Sequence, residues 1–460
     1  MSSAESMNLR EFGAVRDWTK GSVLRNLLLL SWPMVLLEGL WAVSQVIDMI
    51  WVGRLGASAM AGVGMANIVV MLVMSIDMGL IVGVRAMIAR YMGAGDVRSA
   101  SHVAGQAILL GGLWGALITV LGVWLARPVL GLFNLEENVV REGVAYARVF
   151  FAGWVGMELL IFGLYCIQAS GDTLRPMIVE AAIRGIHLTL CPFLVLGWWV
   201  FPQMGVRGAA LSNVIAQVIG AVTVMWLLFG GRSRLRPLVN DLRFGPRVVW
   251  RVLKIGIPAL VMNLQMSVGN IVLMGLIASF GTLAVAGHSV ASRLEMFLLV
   301  PGMGLGAGAA VLVGHNLGAG CPERAAKGAW LAVVLVEALM LGWCLVILVC
   351  AEAVLGLFSA DPGLVNLGAD FLRIAAVGYL VVTFSAVLQN CIAGAGDTVP
   401  NMIISVAGVW VVQLPLALAL SRITSLGLYG IRWAMVAGVV AMAIACSAYF
   451  GLGRWKSKAI

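Results

Sequence analysis

Residues 129–133 read Val129-Leu130-Gly131-Leu132-Phe133, and in the second half of the chain Val354-Leu355-Gly356-Leu357-Phe358 repeats the block letter for letter. The shift that carries Val129 onto Val354 also carries Gly93-Ala94-Gly95 onto Gly318-Ala319-Gly320 and Gly171-Asp172-Thr173 onto Gly396-Asp397-Thr398. Pro33 falls on Pro258, Gly56 on Gly281, Gly62 on Gly287, Gly79 on Gly304 and Gly83 on Gly308, without a gap. A glycine-rich composition matches single glycines by chance, but not three blocks at one offset. The chain is therefore a tandem duplication.

What is duplicated is a membrane-spanning unit. The 460 residues are 61% hydrophobic and 11% charged, with a mean hydropathy of +1.01, against about 25% charged in a soluble domain. At about 20 apolar residues per crossing, the chain accommodates about a dozen spans and no sizeable extramembrane domain. Twelve apolar stretches are expected to cross as helices, near 27–52, 60–86, 101–126, 144–169, 177–200, 206–230, 253–278, 284–312, 327–350, 368–393, 401–421 and 427–450. The fold class is all-α and polytopic, two six-helix lobes. An even number of spans per repeat gives both the same orientation, a parallel repeat of the kind found in transporters. The domain plan is a cytoplasmic arm over 1–26, an N-terminal lobe over 27–231, a basic linker over 232–252, a C-terminal lobe over 253–453 and a tail over 454–460.

Charge sets the expected orientation. With the N-terminus inside, inner segments hold twenty Lys and Arg, outer ones eight (Arg432 among them), and Arg184 and Arg293 fall within spans. The positive-inside rule then places both termini in the cytoplasm of an inner, multi-pass cell membrane. The net charge of +9 reads as this topological bias, with no nucleic-acid partner, and the basic stretch from Arg232 to Lys254 reads as an inner loop rather than a lipid-head-group site. The N-terminal segment lacks the short apolar core and small-residue cleavage site of a removable signal peptide. Seven cysteines without metal-type pair spacing read as small buried hydrophobes, and no metal or cofactor is expected.

An ionisable group in the bilayer needs a partner, a wet cavity or neutralisation, so the few present carry the functional information. Glu38, Trp41, Gln45 and Asp48 follow spacings of 3, 4 and 3 and share one helical face. Asn67 and Asp77 lie on the second span and Glu158 on the fourth, while Glu180, Arg184, His187 and Cys191 form a stripe on the fifth. The second half has Asn263 and Asn270 where the first has Glu38 and Gln45, and Leu273 and Gly302 where it has Asp48 and Asp77. The first half is the polar lobe. Glu180 and Arg184, four apart, are expected to form a buried pair. Glu38, Trp41, Gln45, Asn67, Asp77, Asn263 and Asn270 are candidates for a substrate cavity. For Glu38 and Asp77, a network with Asp48 is the open alternative. Pro33 and Pro258 are expected to bend the first and seventh spans.

Trp32-Pro33, Asp48 followed by Trp51-Val52-Gly53-Arg54-Leu55-Gly56, Gly93-Ala94-Gly95-Asp96, Ala169-Ser170-Gly171-Asp172-Thr173, Ala286-Gly287-His288-Ser289-Val290-Ala291 and Gly396-Asp397-Thr398 together resemble the multidrug and toxic compound extrusion (MATE) transporters, from about Leu24 to Gly453. The resemblance implies a V-shaped pair of lobes that export organic, often cationic compounds against inward flow of protons or sodium ions. It makes Asp48 the N-terminal-lobe cation site. It also marks departures: the family's fifth-span Asn and Asp are His187 and Cys191 here, and the acids that one branch carries in spans seven and ten are Met266 and Val382. A sodium site wants several oxygens, so exchange of protons at Asp48, adjusted by His187, is expected over sodium. The competing readings are a structural carboxylate at Asp48, a packing histidine at His187, and, for the whole chain, a sodium-coupled exporter or a flippase for lipid-linked oligosaccharides or cell-wall precursors. No phosphate-binding loop is present, and the Gly302 to Gly308 run lies inside an apolar span, where small residues serve helix packing. Neither ATP coupling nor an enzyme is indicated. Small-molecule substrates and the lipid bilayer are the expected partners, the chain acting as a monomer.

Overall fold

A computed structural model describes residues 16–133, 136–199, 201–356 and 362–458, apart from the side chains of Gln45, Val46 and Val377. The Gln45 side chain, residues 1–15 of the expected arm, and Leu357-Phe358 of the repeated block thus lie outside what is described.

The described residues are helical throughout, with no strand. In chain order the helices are α1 (Val23–Gly53), α2 (Ala57–Gly93), α3 (Val97–Gly131), α4 (Glu137–Ala152), α5 (Trp154–Ala169), α6 (Leu174–Leu196) and α7 (Val206–Phe229). After a short 3-10 turn, Val239–Leu242, come α8 (Pro246–Ala278), α9 (Thr282–Gly318), α10 (Pro322–Gly356) and α11 (Pro362–Gly394). The chain ends with α12 (Thr398–Val406), which passes through a π-helical stretch Ala407–Gln413 into α13 (Leu414–Arg422), and with α14 (Leu428–Gly451).

Among the described residues, ten helices are long and apolar enough to cross a membrane, and counting each of two bent pairs as one span brings the number to twelve. The bends reproduce the repeat. Glu137–Ala152 and Trp154–Ala169 meet at 54°, Pro362–Ala376 and Gly378–Gly394 at 48°. Gly153, at the first break, and Gly378, immediately after the second, are separated by the same shift that relates Val129 to Val354. A glycine lacks the side chain that would hold the helical turn, and kinks concentrate at such positions. By contrast, α1 and α8 continue as helices through Pro33 and Pro258. The breaks bent by more than 40° fall in the fourth span of each half.

By its contacts the chain divides into two units. Of the described residues, one comprises 16–18, Leu36–Asp77 and those of Met87–Val252; the other comprises Thr19–Val35, Met78–Ala86 and those from Leu253 onward. In lipid, helices gain little from hydrophobic burial against one another, so small residues that permit close approach do the packing. In the first unit a Cβ on Gly111 would lie 2.8 Å from the Phe162 ring, and one on Gly220 2.2 Å from Ile183. Tyr146, Phe150 and Trp154 form a buried aromatic ladder with ring centroids 5.7 and 5.9 Å apart. In the second unit the repeat is visible atom by atom. A Cβ on Gly79 would meet the Leu260 backbone at 2.8 Å, and one on Gly304 the Val35 backbone at 2.5 Å. Each pair is the other moved by one repeat.

Each Gly-Asp-Thr block turns the chain into the next span. Gly171 has φ +90° and Gly396 φ +83°, a left-handed conformation that only glycine adopts without strain. The aspartate that follows anchors basic residues: Asp172 pairs with Arg175 at 3.0 Å, and Asp397 with Lys458 at 2.8 Å.

The segment after α7 is fastened to the start of α3. Arg98 donates two hydrogen bonds to the Asp241 carboxylate, at 2.6 and 2.7 Å, and His102 Nδ1 lies 3.0 Å from it. Gln106 donates to the carbonyls of Asp241 and Arg243 and accepts from the Gly245 N–H. The repeat partner of Arg98 is Glu323, which accepts from Lys456 in the C-terminal segment at 2.8 Å. In the second half too, the start of the third span is thus tied to the segment after the last span, here by an acid on the helix and a base on the segment.

Candidate functional site

Three polar side chains converge inside the first unit. Asp48 lies near the C-terminal end of α1; His187 and Cys191 lie four apart on α6 and therefore on one face. His187 Nε2 is 3.2 Å from Asp48 Oδ1. One ligand atom from each of the three lies within 4.8 Å of the others. His187 and Cys191 are buried, while the Asp48 side chain is 30% exposed and forms the open edge. Neither Asp48 Oδ1 nor His187 Nδ1 makes a hydrogen bond to a described residue. Cys191 sits in the apolar core with Tyr146, Val195, Val206 and Ala209. The sequence reads it as a packing residue, and it does pack; what that reading misses is its convergence with Asp48. The available signal is the His187 and Cys191 spacing, but the third member comes from another helix, which no local motif records.

One turn before His187, Arg184 donates through both Nε and Nη2 to Glu180 Oε1, the first of these bonds at 2.9 Å. The pair is largely buried, with side chains 14% and 7% exposed. Arg184 also exerts its charge on Asp48 and His187. The stripe on α6 thus presents an internally neutralised ion pair followed by an imidazole and a thiol.

A second polar cluster in the same unit holds Asp77. It is buried, accepts from Trp114 Nε1 at 2.6 Å, and exerts its charge on the fully buried Glu158, whose carboxyl oxygens make no hydrogen bond to a described residue. Among the other cavity candidates, Glu38, Trp41, Asn67 and Asn263 are half-buried and Asn270 is exposed.

In the second unit, Arg432 Nη1 donates to Glu295 at 2.8 Å, and its guanidinium lies 4.7 Å from the Phe371 ring centroid. Sequence alone counts Arg432 with the outer loops; it is in fact buried, 2% exposed, inside α14. The signal is Glu295, an acid in a span with no partner on its own helical face.

The duplication and the site both fall within one family pattern. The MatE family model matches residues 33–193 and again 258–419, and the two matches begin at Pro33 and at its repeat partner Pro258. The chain belongs to the MATE family. MATE proteins are membrane transporters, and this one is a multi-pass member. It is 25% identical over 418 residues to the probable multidrug resistance protein NorM of Thermotoga maritima, covering 90% of this chain and 89% of the relative. It is also 25% identical over 400 residues to the FAD transporter of Shewanella oneidensis, covering 87% and 88%. A solved MOP-superfamily transporter from Pyrococcus furiosus superposes with a TM-score of 0.89 at 23% identity, covering 96% and 98%, and this likeness shows the fold.

Proposed function

We propose that this MATE protein is a secondary active antiporter that exports small organic, cationic or amphipathic compounds in exchange for protons, by alternating access of its two lobes. Asp48 is the exchanged-proton carboxylate and His187 its partner. The observation that carries this reading is the 3.2 Å approach of His187 to Asp48: among the described residues, a carboxylate in a membrane span faces an imidazole. Sodium prefers oxygen ligands in number, and here an imidazole and a thiol occupy the facing helix. The multidrug reading is supported by relatives that carry that name. The half-buried Glu38, Trp41 and Asn67 are the proposed substrate contacts of the N-terminal lobe, with Asn263 and Asn270 in the C-terminal lobe.

The deciding experiment is dye export from proteoliposomes under separately imposed proton and sodium gradients, comparing the parent with Asp48→Asn. A proton gradient is expected to drive export in the parent and not in the variant. Export driven by sodium alone, or an Asp48→Asn variant as active as the parent, overturns the reading. An anionic cargo is the second possibility, since one relative is named for FAD transport; competition of dye export by a flavin dinucleotide tests it. Cytoplasmic termini, an inner-membrane location and a monomeric state complete the proposal; reporter fusions at each terminus check the orientation.

A further inference from the structure

We propose that Asp48, His187 and Cys191 form a binding site for a divalent transition-metal ion, of which Zn2+ is the best fit. The donor set is one carboxylate oxygen, one imidazole nitrogen and one sulfur, the mixture that zinc accepts and that sodium, magnesium and calcium do not. The geometry is close to what the ion needs. With bonds of about 2.0–2.3 Å, a tetrahedral site has ligand atoms about 3.3–3.8 Å apart. Asp48 Oδ1 and His187 Nε2 are already 3.2 Å apart, and the remaining separations, within 4.8 Å, close by rotation of the Cys191 and Asp48 side chains. His187 and Cys191 are four apart on α6, the spacing by which one helical face offers two ligands to one ion.

Independent observations point the same way. Asp48 Oδ1 and His187 Nδ1 are buried and make no hydrogen bond to a described residue. The charges also balance. Glu180 and Arg184 neutralise each other, leaving the Asp48 carboxylate and, on binding, the Cys191 thiolate to match two positive charges; the thiol proton leaves to solvent as the metal–sulfur bond forms. Three protein ligands leave a fourth position open, as in zinc sites that exchange a ligand. The partly exposed Asp48 provides the way in.

This inference stands whether or not Asp48 carries the exchanged proton, because it concerns binding and not transport. The test is Co2+ titration of the purified full-length protein in detergent, followed by displacement with Zn2+. One Co2+ per chain is expected, with a thiolate-to-metal charge-transfer band and the intense visible bands of a tetrahedral site, all bleached by Zn2+. Cys191→Ser, which keeps the volume, is expected to abolish the charge-transfer band. Asp48→Asn and His187→Ala leave the thiol in place and are expected to weaken Co2+ binding by about 100-fold or more, since losing even a residue that only orients a ligand costs about 10–100-fold. Cys321→Ser and Cys350→Ser, which alter the two cysteines that are not buried, leave the spectrum unchanged. Absence of the charge-transfer band in the parent, or a band that survives Cys191→Ser, overturns the proposal. Should Cys191→Ser not fold, unchanged Co2+ affinity in both Asp48→Asn and His187→Ala does so equally.

Discussion

Asp77 lies close enough to Glu158 inside the first unit for its charge to act on that carboxyl, and their repeat partners Gly302 and Thr383 touch at the same place in the second. A Cβ on Gly302 would lie 3.0 Å from Thr383 Cγ2. One helix contact has thus been built twice, once from two acids and once from a glycine and a threonine whose hydroxyl donates to Glu337 at 3.0 Å. The duplication kept the packing and let the chemistry diverge, which is why the acids concentrate in the first half.

Two buried carboxyls side by side repel when both are charged and attract when one can donate to the other. Glu158→Gln supplies an amide donor of the same shape and is expected to leave stability unchanged. Glu158→Leu leaves the buried Asp77 carboxyl beside a group that cannot donate to it and is expected to cost about 1–3 kcal/mol. Thermal unfolding of both variants in one detergent makes the comparison; equal losses would show that shape, not a hydrogen bond, is what Glu158 supplies.

Glycines on one helix separate contact from mere composition. On α2, Gly79 faces the Leu260 backbone, which cannot move aside, whereas nothing lies within 4 Å of a Cβ on Gly64. Gly79→Ala is expected to destabilise by about 1–3 kcal/mol through overpacking. Gly64→Ala is expected to be neutral or to gain up to about 1 kcal/mol of helix propensity. The two midpoints, measured side by side, should therefore move apart.

The repeat is legible in the sequence because close-packed positions admit one residue type, so Gly79 and Gly304, like Gly153 and Gly378, stand at one offset. The spans are legible because the bilayer demands length and apolarity. Partners from distant helices are not: Arg432 lies far along the chain from Glu295, and Cys191 from Asp48. Trp114 gives no sign of donating to Asp77, since a tryptophan in an apolar span reads equally as a packing or an interfacial residue. Prolines point to bends in the first and seventh spans, where both helices continue unbroken, since a proline's lost hydrogen bond can be absorbed within a continuing helix; the breaks in the fourth span of each half fall at or beside a glycine, which no local motif singles out.

The Asp241 tie gives a pH dependence with a definite sign. Burial alone would push the Asp241 carboxyl up; hydrogen bonds from Arg98, from the Leu238 N–H and from His102, with the Arg98 charge, outweigh it and hold it below the usual carboxylate range. A depressed folded value contributes stability that is present above about pH 4, the unfolded carboxyl's range, and lost as pH falls through the folded value. Asp241→Asn is expected to lower the melting temperature by a few degrees at neutral pH. The gap between parent and variant should narrow below about pH 4. A gap that stays constant with pH would mean the carboxylate's charge plays no part.

Glu295 and Arg432 pose the sharpest energetic test, since their side chains are only 16% and 3% exposed. Desolvating two charges costs nearly what their attraction returns, so a buried pair adds little net stability, whereas removing one partner strands the other at about 3–5 kcal/mol. Glu295→Leu and Arg432→Leu are each expected to destabilise strongly. The double variant is expected to recover most of that loss, a coupling that contacting residues show and distant ones do not. Arg432→Lys keeps the charge but gives up the planar guanidinium 4.7 Å from the Phe371 ring centroid and is expected to fall between parent and Arg432→Leu. Thermal unfolding of the four variants completes the cycle. Additive losses in the double variant would show that Arg432 is held by Phe371 and its other neighbours rather than by Glu295.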